Sequence, residues 1–182
     1  MLRAAGHTPT VIDFSAKQLD MLKRFNVKAY YGDATRPDML HSAGIENAKM
    51  LVVAIDGKEQ INEIVKYVTK NYPHVHVMAR AVDRNHVYDL YAAGCRDIVR
   101  ETYDSSVRMG RSAFEVLGAS RDQADKMVQA FDRMDRKSMV AAAEHYDPAV
   151  PVVENEAFIA HVLSLLDEWE AELSAEMEAI QA

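Results

Sequence analysis

A change of periodicity near residue 100 constrains this chain more than any other feature of its sequence. Before it, short β-branched runs alternate with amphipathic stretches. TVIDF (10–14), KAYY (28–31), MLVVAI (50–55), VHVMARA (75–81) and CRDIV (95–99) read as strands, and 15–26, 37–44, 58–72 and 84–94 read as helices. Strands joined through helices must run parallel, so the pattern predicts an α/β layer with a parallel sheet. Gly44 and Gly94 sit where a left-handed helix end is easiest for glycine, and Pro37 where a first-turn proline is tolerated. After Glu101 only helical periodicity remains: 101–118, a second helix to about Tyr146, a break at DPAVP, and a last helix from about Glu154. That helix carries Ile159, Val162, Leu166, Trp169, Leu173, Met177 and Ile180 at near-heptad spacing. The stripe needs a partner, either its own domain or a second copy. The expected divisions are therefore 1–100, 101–147 and 152–182.

Charge follows the same division. All 21 basic residues but only 18 of the 28 acids precede residue 138, a net +3, while the ten acids beyond it meet no Lys or Arg, a net −10. Such a tail excludes nucleic acid as its partner and reads as a solvated acidic face; the basic excess ahead of it suits a small anion. With 49% hydrophobic residues the chain can bury a core, yet no run approaches the roughly 18 consecutive apolar residues of a membrane span, and the start lacks a signal-peptide order. The chain as given is expected to be soluble. Cys95, the single cysteine, allows no internal disulfide and fits a reducing compartment.

The acids worth attention recur at the carboxyl ends of the expected strands. Asp13 closes the first, Gly32, Asp33, Ala34 and Thr35 follow the second, and Ala54, Ile55 and Asp56 follow the third. In a dinucleotide-binding (Rossmann) fold an acid at a strand end holds ribose hydroxyls, and ligands sit outside the carboxyl ends of the strands. The competing reading makes Asp33 and Asp56 N-caps of the helices that follow. No GxGxxG occurs anywhere. The expected fold is thus a Rossmann-like parallel sheet lacking its first strand and glycine loop, followed by C-terminal helices.

The stretch VIDFSAKQLDMLKRFNVKAYYGDATRPDMLHSAGIENAKMLVVAID resembles the regulator-of-potassium-conductance nucleotide domain, also called the TrkA N-terminal domain. ARAVDRNHVYDLYAAGCRDIVRETYDSSVRMGRSAFEVLG is more narrowly similar to the Kef-type, glutathione-gated potassium-efflux antiporters. The resemblance covers residues 1 to about 140. It implies an adenine nucleotide, NAD(H) or AMP, with Asp13 on the ribose, Asp33, Ala34 and Thr35 along the adenine, and Ala54, Ile55, Asp56 and Arg80 lining the same crevice. Without the glycine loop, binding is expected to be weakened or lost. It implies further that Arg100 pairs with a carboxylate of glutathione or an adduct, and that Phe25 makes a gating contact; packing in the core is the alternative for Phe25. Asp135 stands where the family has an asparagine and would repel such an anion. The implied partners are a second copy, a membrane antiporter domain upstream and an ancillary flavin oxidoreductase subunit, at the cytoplasmic face of the inner membrane.

The functions in competition are a non-enzymatic regulatory module of a potassium:proton antiporter, a degenerate NAD-dependent oxidoreductase, and a dimerising scaffold. Residues 101–182 offer a dehydrogenase no convergent polar set. His74 and His76, read as sharing one side of a strand, lack a third ligand and point to no metal. Cys95 reads as a buried small residue, and Met109, Met127, Met134 and Met139 as core.

Overall fold

The computed structural model describes all 182 residues. Five strands and seven helices follow in the order β1 (Thr10–Asp13), α1 (Ala16–Arg24), β2 (Lys28–Tyr31), α2 (Pro37–Ala43), β3 (Met50–Val53), α3 (Lys58–Asn71), β4 (His76–Ala81), α4 (Arg84–Ala92), β5 (Asp97–Arg100), α5 (Tyr103–Val116), α6 (Arg121–Ala143) and α7 (Glu156–Gln181). Strand and helix alternate to residue 100 and helices alone follow, as the change of periodicity requires. His74 lies in the turn before β4, so it does not share a strand with His76.

The chain forms two compact units, Met1–Ala81 with Ala93–Val99, and Val82–Ala92 with Arg100–Ala182. In the first, β1 pairs with β2 in parallel and β3 with β4 in parallel. The strands make two sheets, β1-β2 and β3-β4-β5. Apolar positions at helical spacing on α3 (Ile61, Ile64, Val65, Val68) are at most 2% exposed, and they supply the core with Val77, Ala79 and Ala81 of β4. Gly44 ends α2 at φ 94°, its N–H reaching the carbonyls of His41 and Leu40, a left-handed cap that a Cβ would strain. Cys95 is 1% exposed, and its thiol donates to the carbonyl of Val77 at 3.3 Å. Burial raises its pKa, which suits an inert core residue.

The second unit is helical. Ser120 opens α6 with a capping box closed by Gln123. Helix α7 folds back antiparallel on α6. Gln123 Nε2 donates to the carbonyl of Ile180 at one end, and Ala142 meets Phe158 and Tyr88 at the other. Trp169 crosses Phe131 edge to face with centroids 5.8 Å apart. The apolar stripe of the last helix therefore finds its partner inside its own chain. The register differs from the heptad reading at one place: Phe158 and Leu165 pack inward, and Leu166 is 41% exposed. Met127 and Met134 are core, whereas Met109 is 74% exposed, because α5 buries none of its residues.

Candidate functional site

In the first unit, two groups of residues occupy the carboxyl ends of the strands. On β1-β2, the Gly32 N–H donates to the Asp13 carbonyl at 3.1 Å and continues the ladder past Tyr31. Asp13 Oδ1 accepts from the Ser15 N–H at 2.7 Å. Asp33 Oδ1 accepts from the Thr35 N–H at 2.9 Å and from its hydroxyl at 2.8 Å. Each aspartate thus spends one oxygen on bracing its own turn, an Asx arrangement, and its Oδ2 carries no hydrogen bond from the chain. The hydrogen bonds from Thr35 hold the Asp33 carboxyl below its ordinary pKa, so at neutral pH it is an acceptor only.

Neither Asp33 nor Asp56 is an N-cap. Arg36 holds that position for α2 and Gly57 for α3, both without a side-chain cap. Gly32 has φ 159°, a backbone conformation that side chains rarely adopt, so the position favours glycine. A Cβ there would lie 2.5 Å from the Met39 side-chain end. Ala34 adds a small side chain between Asp33 and Thr35.

On β3-β4, Arg80 reaches from β4 to the end of β3. Its Nη2 donates to the Ile55 carbonyl at 3.0 Å and to Asp56 Oδ1 at 2.6 Å. The Asp56 side chain is otherwise fully exposed and Ala54 is exposed, so this edge presents a carboxylate, a methyl group and a braced guanidinium to solvent. A groove of about 380 Å³ lies elsewhere in the unit, lined by Thr69, Pro73, His74, His76, Gly94 and Arg96. There His74 Nε2 lies 2.9 Å from the Glu46 carbonyl and His76 Nε2 2.9 Å from Asp97 Oδ2. No group of three or more His, Cys, Asp or Glu side chains is placed to hold a metal ion.

Phe25 ends α1 and is 65% exposed, which overturns the core alternative for it; Arg3 donates to its carbonyl. Arg100 and Asp135 meet in the second unit. Asp135 is 3% exposed and accepts from both guanidinium nitrogens of Arg100 and from Arg84 Nη1 at 2.9 Å. The Arg100 guanidinium carbon lies over the Tyr103 ring, 3.5 Å from its centroid. Burial, and then the negative charge of Asp135 and Asp132, push the Tyr103 hydroxyl well above its ordinary pKa. Sequence reading had Asp135 as a repulsive neighbour of an external anion; folding instead makes it the internal counter-ion of Arg100. It missed Arg84, whose Nε and Nη2 reach the Tyr88 hydroxyl and Ser138 Oγ. Its only signal was a cation opening a helix directly after a strand, and its partner lies 51 residues away.

These features have relatives. The TrkA-N domain model matches residues 1–101, and the model of the potassium efflux system KefB C-terminal domain matches 105–182. The glutathione-regulated potassium-efflux system protein KefC of Klebsiella pneumoniae is 35% identical over 80% of this chain and 24% of its own length. The chain thus spans about a quarter of the curated relatives it matches. Among solved structures, the Kef C-terminal domain of Shewanella denitrificans in its AMP-bound form is 38% identical. It superposes with a TM-score of 0.73 over 80% of this chain and 89% of that one. The TrkA-N domain of the Escherichia coli inner membrane protein ybaL is 26% identical, with a TM-score of 0.56 over 64% of this chain and 83% of that one. The chain belongs to the TrkA-N domain family, in the branch whose second half is the potassium efflux system KefB C-terminal domain.

Proposed function

We propose that this chain is the nucleotide-binding regulatory part of a glutathione-regulated potassium-efflux antiporter and carries no catalysis of its own. The observation that carries the reading is the pair of braced aspartates at adjacent strand ends. Asp13 and Asp33 each have one oxygen fixed by their own turn and the other without a partner, on a chain 38% identical to a Kef domain with AMP bound. In this reading Asp13 accepts from the ribose hydroxyls and Asp33 from the adenine amino group. Ala34 and Thr35 floor the base, and Ala54, Ile55, Asp56 and Arg80 close the other side. A nucleotide there changes the stability of the strand ends, and the antiporter domain responds. Calorimetric titration with AMP and NADH, on the chain and on Asp33→Ala, tests it.

Glutathione sensing follows from the relatives' name and from Arg100. Both nitrogens of Arg100 that a carboxylate would take are held by Asp135, so a glutathione carboxylate must displace Asp135 to bind there. Asp135→Asn removes the competing charge and is expected to increase affinity for a glutathione adduct, an effect that weakens as salt screens the site. Assembly as a homodimer is the reading for α5, where Met109, Val116 and Leu117 are 74 to 87% exposed.

A further inference from the structure

Two histidines meet in the second unit where α7 begins on the end of α6. The rings of His145 and His161 are stacked, with centroids 3.8 Å apart and planes tilted by 30°. His145 follows the last turn of α6 and is exposed; its Nδ1 donates to the Ala141 carbonyl at 3.3 Å. His161 is half-buried in the second turn of α7, and its Nε2 is buried and meets no hydrogen-bond partner. Beside the pair, Tyr146 and Phe158 pack with Tyr88 of α4, and the Tyr146 hydroxyl donates to Asp89. The stack and this aromatic cluster together seat the first two turns of α7.

The two rings tolerate charge unequally. As neutral imidazoles they stack like other aromatic rings. A proton on His145 is met by water and by the carbonyls at the end of α6. A proton on His161 makes both its nitrogens donors, one of them buried with nothing to accept from it. With both rings protonated, two cations face each other at stacking distance.

No carboxylate offsets that repulsion. One turn to either side of His161 stand Ala157, Phe158, Ser164 and Leu165. Glu144 and Asp147 flank His145, Glu154 and Glu156 stand at the start of α7, and Asp83 and Asp89 come from the α4 side, where they act on Tyr146. None is ion-paired with either ring. On α4, Arg84 is held by Asp135, and the buried His86 accepts from the Val82 N–H.

We infer that the His145–His161 stack is a pH-operated latch, which holds the start of α7 on the end of α6 at neutral pH and releases it when acidification charges both rings. Histidines change charge between about pH 8 and pH 5, which sets the window. The released start of α7 takes up a proton that the docked one refuses, so docking weakens as pH falls. The inference is independent of nucleotide binding.

The test is amide exchange on the whole chain by NMR at about pH 7.5 and pH 5.5, each rate corrected for its intrinsic pH dependence. Protection over 159–165 is expected to fall by about tenfold or more at the lower pH, while 124–134 of α6 keep theirs. His161→Phe keeps a ring in the stack and removes its charge, so the fall should vanish. His145→Glu changes an exposed position and sets a carboxylate beside His161. Protection in this variant should be at least as high at pH 5.5 as at pH 7.5, and it decides the matter if His161→Phe fails to fold. Unchanged protection in the parent chain would overturn the inference. So would a fall that persists in either variant, or an equal fall over 124–134, since another titrating group would then be responsible.

Discussion

Asp33 and Asp135 are the same residue in opposite surroundings, and each predicts a different experiment. Asp135 is buried between two guanidinium groups, so its removal leaves the largely buried Arg100 without its counter-charge, while the half-exposed Arg84 can turn to solvent. Asp135→Ala should cost about 3 to 5 kcal/mol of stability by denaturant unfolding, and Asp135→Asn, which keeps the shape, less. Tyr103 and Tyr146 give a pH test. Burial and neighbouring carboxylates raise both hydroxyls above the ordinary tyrosine range, and Tyr146 donates to Asp89 at 2.5 Å. Above about pH 10 the unfolded chain loses these protons while the folded chain keeps them, so stability falls as pH rises from there. Absorbance titration should show both hydroxyls ionising only with unfolding, and Tyr146→Phe should flatten the alkaline slope. The acids at strand ends were legible in the sequence because their positions follow from the strand pattern. The Arg84–Asp135–Arg100 cluster was not, because sequence distance says nothing about which cation a buried carboxylate meets.

At the scale of elements, α7 tests where stability lies. Trp169 and Phe131 join it to α6, while Arg133–Glu176 and Lys137–Glu172 sit at the rim. Trp169→Ala should cost about 3 kcal/mol through lost packing, whereas Glu176→Ala should cost under about 1 kcal/mol, since exposed pairs contribute little. Urea midpoints of the two variants, measured side by side, separate the contributions. Element type and order could be read from periodicity alone, and so could an amphipathic α7. Its partner and register could not, because Leu165 and Leu166 are interchangeable on a heptad and only the angle at which α7 meets α6 chooses between them. Met109 was misread for a related reason: an apolar face on α5 announces burial, but nothing in this chain covers it.

At the scale of the molecule, the family was legible from motif and pattern together, while the division of the strands into two sheets was not, because periodicity gives strands but not which edges pair. Exposed Met109, Val116 and Leu117 predict that the chain sediments as a dimer and that Leu117→Asp shifts it toward monomer; a strict monomer at high concentration would remove α5 as an interface. The central claim, that adjacent strand ends hold an adenine nucleotide, meets its most direct test in calorimetric titration with AMP. Saturable binding is predicted, weak because this chain carries no glycine loop to hold the phosphate, and weakened further by Asp33→Ala by about 1 to 3 kcal/mol, the cost of leaving a hydrogen-bonding group of the ligand unmatched. No AMP binding, or an affinity that Asp33→Ala leaves unchanged, would contradict it.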